Sequence, residues 1–480
     1  MRRLAFLGAT LWLAGCAHDA NVQMPEVPLA PAYRGDQSSL NGVSSSETIR
    51  EDAWWTLFQD PELDRLQRRL LDNSADFAGA LARYEQAVAA TDAVRAAQSI
   101  TADAQLNVQR NRQSANRPLR GSDSPNTYNS GTLGLNLQYE VDLWGRIRQQ
   151  VEAGMATQQA AQADLAAARV ALQARLADTL VALRGADREV ALLRDTETAY
   201  RRAVEMIDQR HQTGISSGLD LARAQAQLQT TRAQIPQVLA QRALYEHAIA
   251  ALVGASASSF RIAPEEIAEV IPAVPLGLPS SLLQRRADIA AAQRRVVAAN
   301  ASVGVARTAF YPSVTLSAVG GYQSSELNRF INAPNLFWSV GPGMLLNLFD
   351  GGRRRSEVAR AQAVLEEAGQ HYRGVVLGSF QEVEDQLALI NHYAEAAAAD
   401  RLAVDASGRA LDMATSRYRD GAVSYLEVVT AQTTALQAQR SALELTTRQR
   451  RATVQLVRAL GGGWSAQQLD VASVAASEAP

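Results

Sequence analysis

Few residues able to do chemistry stand at spacings that would make a reaction site. Gly214-Ile215-Ser216-Ser217-Gly218 fits G-x-S-x-G, a pattern that in hydrolases presents a nucleophilic serine on a strand-to-helix turn. Here a helical stretch precedes it, and the corresponding residues of the second half, Gly421 to Tyr425, lack the pattern, so it reads as the turn of a helical hairpin. The five histidines, His18, His211, His247, His371 and His392, show no ligand spacing such as H-x-x-x-H, and no metal is expected. Cys16 is the only cysteine, so no disulfide can form within one chain. Neither catalysis nor a cofactor is expected.

The chemistry that Cys16 does fit is acylation. Met1-Arg2-Arg3 precedes the apolar run Leu4 to Leu13, and Leu13-Ala14-Gly15-Cys16 follows. A positive start, a short apolar run and small residues make an export signal, and ten apolar residues are too few to span a bilayer. Leu-Ala-Gly-Cys resembles the bacterial lipobox, which implies that residues 1–15 are removed and that Cys16 is acylated. Ala17 follows the cysteine instead of Asp, which resembles the class sorted to the outer membrane. Residues 16–53, with Pro25, Pro28 and Pro31, read as an extended tether.

Ala, Gln, Arg, Leu and Glu dominate the 480 residues, aromatics make up 6% and the net charge is -2. This balance favours long helices and argues against a basic nucleic-acid face. A single helix is predicted from about Pro61 to Ser99. In Thr101 to Arg110 the period changes to two: Ala102, Ala104, Leu106 and Val108 alternate with Asp103, Gln105, Asn107 and Gln109. After a polar loop from Asn111 to Ser130, Leu133, Leu135, Leu137, Tyr139 and Val141 alternate with polar residues again.

Helices are then predicted from Trp144 to about Arg210 and from Leu219 to about Val253, with a local kink at Pro236. A Pro-rich connector, 263–279, separates a first repeat, 54–262, from a second, 280–464, which has the same order: helix 280–309, strand from Ser313 to Gln323, strand from Leu336 to Leu348, and helices to about Arg419 and Leu460. Residues 465–480 read as a disordered tail. Gly351 follows Gly145 by 206 residues, Gly421 follows Gly214 by 207, and Ala459 follows Ala251 by 208. Three landmarks this regular mark an internal repeat.

Each alternating run has the length of a tilted membrane strand, with one apolar and one polar face. Open sheet edges are costly in lipid, and four strands are too few to close. Two copies would supply eight strands and three would supply twelve. An eight-stranded interior is largely filled by side chains, so three copies are the economical answer for a conduit. The long helices carry too many charges to lie in lipid and must associate sideways through small residues such as Ala. Their far ends are the turns at Gly214 and Gly421.

At this point the chain resembles the TolC-like outer-membrane efflux proteins, in particular their lipoprotein (NodT-type, resistance-nodulation-division) branch. The resemblance rests on Glu140-Val141-Asp142-Leu143-Trp144-Gly145-Arg146, Val305 to Ser313, Phe349-Asp350-Gly351-Gly352-Arg353 and Arg417-Tyr418-Arg419-Asp420-Gly421. It implies a mainly α-helical chain with four membrane β-strands, in a homotrimer whose single twelve-stranded barrel continues into an α-helical barrel. It also implies an outer-membrane exit duct working with a periplasmic adaptor and an inner-membrane pump. The family commonly has Pro where this chain has Ala287, so the helix is expected to continue through that position. For the aperture at the periplasmic tip, Tyr418, Arg419, Asp420 and Leu426 are the candidates; the resemblance adds Thr430, where related lipoprotein channels carry an acidic residue.

Arg353-Arg354-Arg355 could hold an anion, although arginines at the rim of a barrel more often meet acidic headgroups or neighbouring carboxylates. The alternatives to an efflux duct are the outer channel of a type I secretion system and, from a different class, a lipid-anchored coiled-coil scaffold. The scaffold would not account for two matched pairs of amphipathic strands.

Overall fold

The computed structural model describes residues 24–27, 30–34, 53–114, 116–118, 121, 125–265, 271–276 and 279–469. The expected signal peptide, Cys16, most of the expected tether and the end of the expected tail lie outside the described residues. The chain divides into two compact units: residues 84–161 and 292–372 with the chain before Glu26, and residues 26–83, 162–291 and 373–480.

In the first unit, strands β1 (Thr101–Arg112), β2 (Thr127–Glu140), β3 (Ser313–Ser324) and β4 (Leu336–Leu345) form one antiparallel sheet in the order β1-β2-β3-β4. The two-residue period sets its faces. Leu106 pairs with Leu133 and Leu133 with Tyr322, so these lie on one face, while Asn107, Thr132 and Gln323 line up on the other. Among the described residues nothing covers the apolar face: Leu106 is 68% exposed and Trp338 is 74% exposed. The hairpin loop is shorter than the predicted Asn111 to Ser130, because the ladder continues to Arg112 opposite Thr127. β4 stops at Leu345 and not at Leu348, because its partner β3 begins opposite at Ser313.

The helices of the two halves correspond in length. α3 (Arg146–Gln212) and α6 (Arg353–Arg419) have 67 residues each, about 100 Å of helix. α4 (Gly218–Leu252) and α7 (Tyr425–Ala459) have 35 each, and α4 runs through Pro236 as one element.

Two predicted helices are broken. The segment from Pro61 to Ser99 forms α1 (Pro61–Asn73) and α2 (Ala75–Arg95). Ser74 between them is buried and extended, with its N–H on Leu70 O and its Oγ accepting from Phe77 N at 3.5 Å. Asp60 caps α1, accepting from Glu62 N and Leu63 N, and Leu63, Leu66 and Leu70 drive it into the core.

The helix predicted to continue through Ala287 instead stops at a single turn, Leu282–Arg285, and restarts as α5 (Ala287–Thr308). Arg286 between them is extended. Its buried guanidinium reaches Asp288 at 2.6 Å, Glu382 at 2.9 Å and the Ala459 carbonyl at 2.9 Å. These tertiary partners break the helix without proline.

In the second unit the main core joins α1, the middle of α3, the end of α4, the connector residues Val274 and Leu276, and the end of α7. Gly254 and Gly461 permit backbone approaches there: a Cβ would lie 2.2 Å from Asn73 O and 2.0 Å from Arg285 O respectively. The predicted tail is structured further than expected. Trp464 and Leu469 are both buried against Ala163, Ala287 and Ala291, which order the chain past residue 465.

Candidate functional site: the hairpin turns and the sheet rim

Both hairpin turns close in the same way. Gly214 and Gly421 take φ of 77° and 74°, left-handed values that favour glycine after a helix. Ile215 N reaches back to Arg210 O at 2.8 Å, and Ala422 N to Arg417 O at 2.8 Å. Such six-residue closures satisfy carbonyls that a helix end leaves open. Ser217 then caps α4 through Asp220 N.

The side chains at the two turns differ. Tyr418, only 8% exposed, packs with Ile207, Ala224, Tyr425 and Val428. Its ring meets that of Tyr425 edge-on at 5.2 Å, and the Arg210 guanidinium lies 5.4 Å above it. Arg210 also donates to the carbonyls of Tyr418 at 3.5 Å and Arg419 at 3.2 Å, while the Tyr418 hydroxyl meets Ser216 Oγ at 3.1 Å. Burial, with the neighbouring Tyr418 and Tyr200, pushes the Tyr425 phenol up to about 12.

Of the predicted aperture residues, Tyr418 is therefore an anchor between the two hairpins. Arg419, Asp420, Leu426 and Thr430 stand exposed around it, with Thr430 Oγ1 donating only to Leu426 O at 2.9 Å. The residues missed from sequence are Arg210, Ser216 and Tyr425. The repeat carried a signal for the first, since Arg210 stands 207 positions before Arg417. The G-x-S-x-G serines sit between two helices, and His211 Nδ1 contacts the Ser216 backbone oxygen at 2.9 Å, not its hydroxyl.

The sheet rim is built from the other motif residues. Asp142 caps α3 through Ile147 N and Arg148 N, and Arg146 grips Glu140 with two bonds of 2.8 and 2.6 Å. Trp144 stacks on Tyr311 at 5.0 Å and donates to Pro312 O at 2.7 Å. In the second half Asp350 accepts from Gly352 N, Arg354 N and Arg354 Nε, and the Arg354 side chain holds its carboxyl below the usual range. The arginine in turn lies 5.2 Å over the Phe310 ring.

Among the described residues no helix is long and apolar enough to cross a membrane and no metal-binding group of side chains occurs.

The family model for outer membrane efflux proteins matches residues 66–255 and 278–462, one segment in each half. Outer membrane protein OprJ of Pseudomonas aeruginosa is 31% identical over 471 residues, 97% of each chain. The probable outer membrane lipoprotein SilC of Salmonella typhimurium is 28% identical, covering 96% of this chain and 99% of its own. Among solved structures, the outer-membrane channel OprN matches with a TM-score of 0.85 and 30% identity, over 92% of this chain and 98% of that one. Two matched halves, a sheet with a bare apolar face and near-complete coverage of these relatives lead to one conclusion: the chain belongs to the outer-membrane efflux protein family.

Proposed function

We propose that three copies of this chain close one twelve-stranded barrel in the outer membrane, as the passive exit duct of a tripartite efflux system. The observation that carries this is the sheet itself. Among the described residues its apolar face is bare and its edge strands, β1 and β4, each lack a neighbour on one side. Lipid cannot satisfy those edges, whereas another copy of the same sheet can.

A periplasmic adaptor and an inner-membrane pump would meet the hairpin end, where Arg419, Asp420, Leu426 and Thr430 form the periplasmic aperture around the Tyr418 anchor. Energy comes from the pump, and no group in the duct needs to react. Cys16 carries the acyl anchor once residues 1–15 are removed, and residues 16–53 tether it to the first repeat; the naming of SilC as a lipoprotein supports this. Other relatives are named for small-molecule export, among them a pyoverdine export protein and a toluene efflux protein of Pseudomonas putida, which favours efflux over protein secretion.

Purified protein in planar bilayers is expected to give discrete conductance, and crosslinking is expected to stop at trimers. Absence of conductance, or crosslinking that stops at dimers, would sink the twelve-stranded duct. Palmitate labelling is expected to disappear in Cys16→Ala.

A further inference from the structure

Just below the strands, the sheet-bearing unit holds an open concavity of about 940 Å³ between α2, α3, α5 and α6. Its charged lining is Arg146, Arg353, Arg354, Arg360 and Glu357; the rest is mostly small and apolar, including Ala298 and Ala306. Which way it faces follows from Glu140. That residue lies on the polar face of β2 with Asn136 and Gln138, and its carboxylate is bound by Arg146. The concavity therefore continues the polar face of the sheet, which is the water side of a closed barrel.

Three of the four arginines are matched: Arg146 by Glu140, Arg354 by Asp350 at 2.6 Å and Arg360 by Glu357 at 3.1 Å. Arg353 is exposed, and among the described residues its side chain has no ion pair or hydrogen bond. Four cations against three carboxylates leave one positive charge per chain. That charge is Arg353, exposed at the start of α6, where the capping Asp350 carboxylate is already taken up by Arg354. A cavity of this size takes a drug-sized molecule. Apolar walls with one free cation suit a molecule that has an apolar body and an anionic end.

We propose that this concavity is a transit site for amphipathic organic anions, with the anionic group at Arg353 and the apolar body along the alanines of α5. The site rests on the reading of the chain as a duct. With three chains it becomes a ring of three unmatched arginines, and rings of charge set selectivity in channels.

The test is single-channel recording across a KCl gradient with cholate as the probe. Against wild type, Arg353→Glu is expected to move the reversal potential toward cation selectivity. It should also raise the half-blocking cholate concentration by about fivefold, as loss of an exposed charge contact worth about 1 kcal/mol would. Arg353→Lys should keep both wild-type values, and block by dodecyltrimethylammonium should not weaken in Arg353→Glu. Equal cholate block in wild type and Arg353→Glu overturns the transit site while leaving the duct intact. Failure of wild type to conduct at all overturns the duct, and the transit site with it. Because the Arg353 side chain is exposed and makes no ion pair or hydrogen bond among the described residues, the substitution is expected to leave the fold alone, which trimer mobility on a native gel checks.

Discussion

At the first hairpin turn Gly214 is followed by Ser216 and Gly218; at the second, Gly421 is followed by Val423 and Tyr425. The closing bonds of Ile215 N on Arg210 O and of Ala422 N on Arg417 O match at 2.8 Å, yet His211 stays exposed while its counterpart Tyr418 is buried. The first half supplies the cation Arg210 and the hydroxyl of Ser216; the second supplies the aromatic pair that they hold. The same division recurs where each half breaks its entry helix, by a small capping serine at Ser74 and by a buried ion cluster at Arg286. A duplicated backbone keeps its interruptions, and each half reaches them by its own side chains.

The comparison breaks most visibly at Arg286. Arg286→Ala removes bonds to Asp288, Glu382 and the Ala459 carbonyl, so a loss of about 3 kcal/mol is expected in denaturant titration. Ser74→Ala in the first half should cost only about 1 kcal/mol by the same measurement. Equal losses would mean that the two breaks are energetically alike.

Gly254→Ala and Gly461→Ala test where the halves agree. Both glycines have positive φ and press on a backbone carbonyl, so each substitution should cost about 2 kcal/mol or more. Similar shifts in the thermal midpoint are expected from the two.

Tyr418→Phe sharpens the contrast at the turns. It removes the bond to Ser216 while keeping the ring under Arg210, so a loss of about 1 kcal/mol is expected. Faster hydrogen exchange confined to residues 210–218 and 418–425 would report it.

One effect is confined to alkaline pH and vanishes at neutrality. Because the folded-state value of Tyr425 is raised to about 12, its contribution is complete below the ordinary tyrosine range and is lost as pH rises from about 10 to about 12. Tyr425→Phe should flatten that part of the stability profile; an unchanged alkaline limb would remove Tyr425 from the account.

Much of this was legible in the sequence because period carries it. Alternation in Thr101 to Arg110 and Leu133 to Val141 specified strands with two faces, and proline-free Ala-rich runs specified long helices. The breaks at Ser74 and Arg286 were not legible, since the bonds that fix Arg286 come from Glu382 and Ala459, far along the chain. Leu469 was read as tail because its burial depends on Ala163 and Ala291. Tyr418 could be found because it stands beside a turn glycine, whereas Arg210 becomes visible only when the two turns are superposed.

Helix length also becomes a shared quantity. α3 and α6 have 67 residues each, and the two turns meet through Arg210 and Tyr418. A deletion of one helical turn in α3 alone would displace Arg210 by about 5.4 Å, beyond the reach of the Tyr418 carbonyl. The chain can therefore lengthen or shorten its hairpins only in step, as two rulers cut to one gauge.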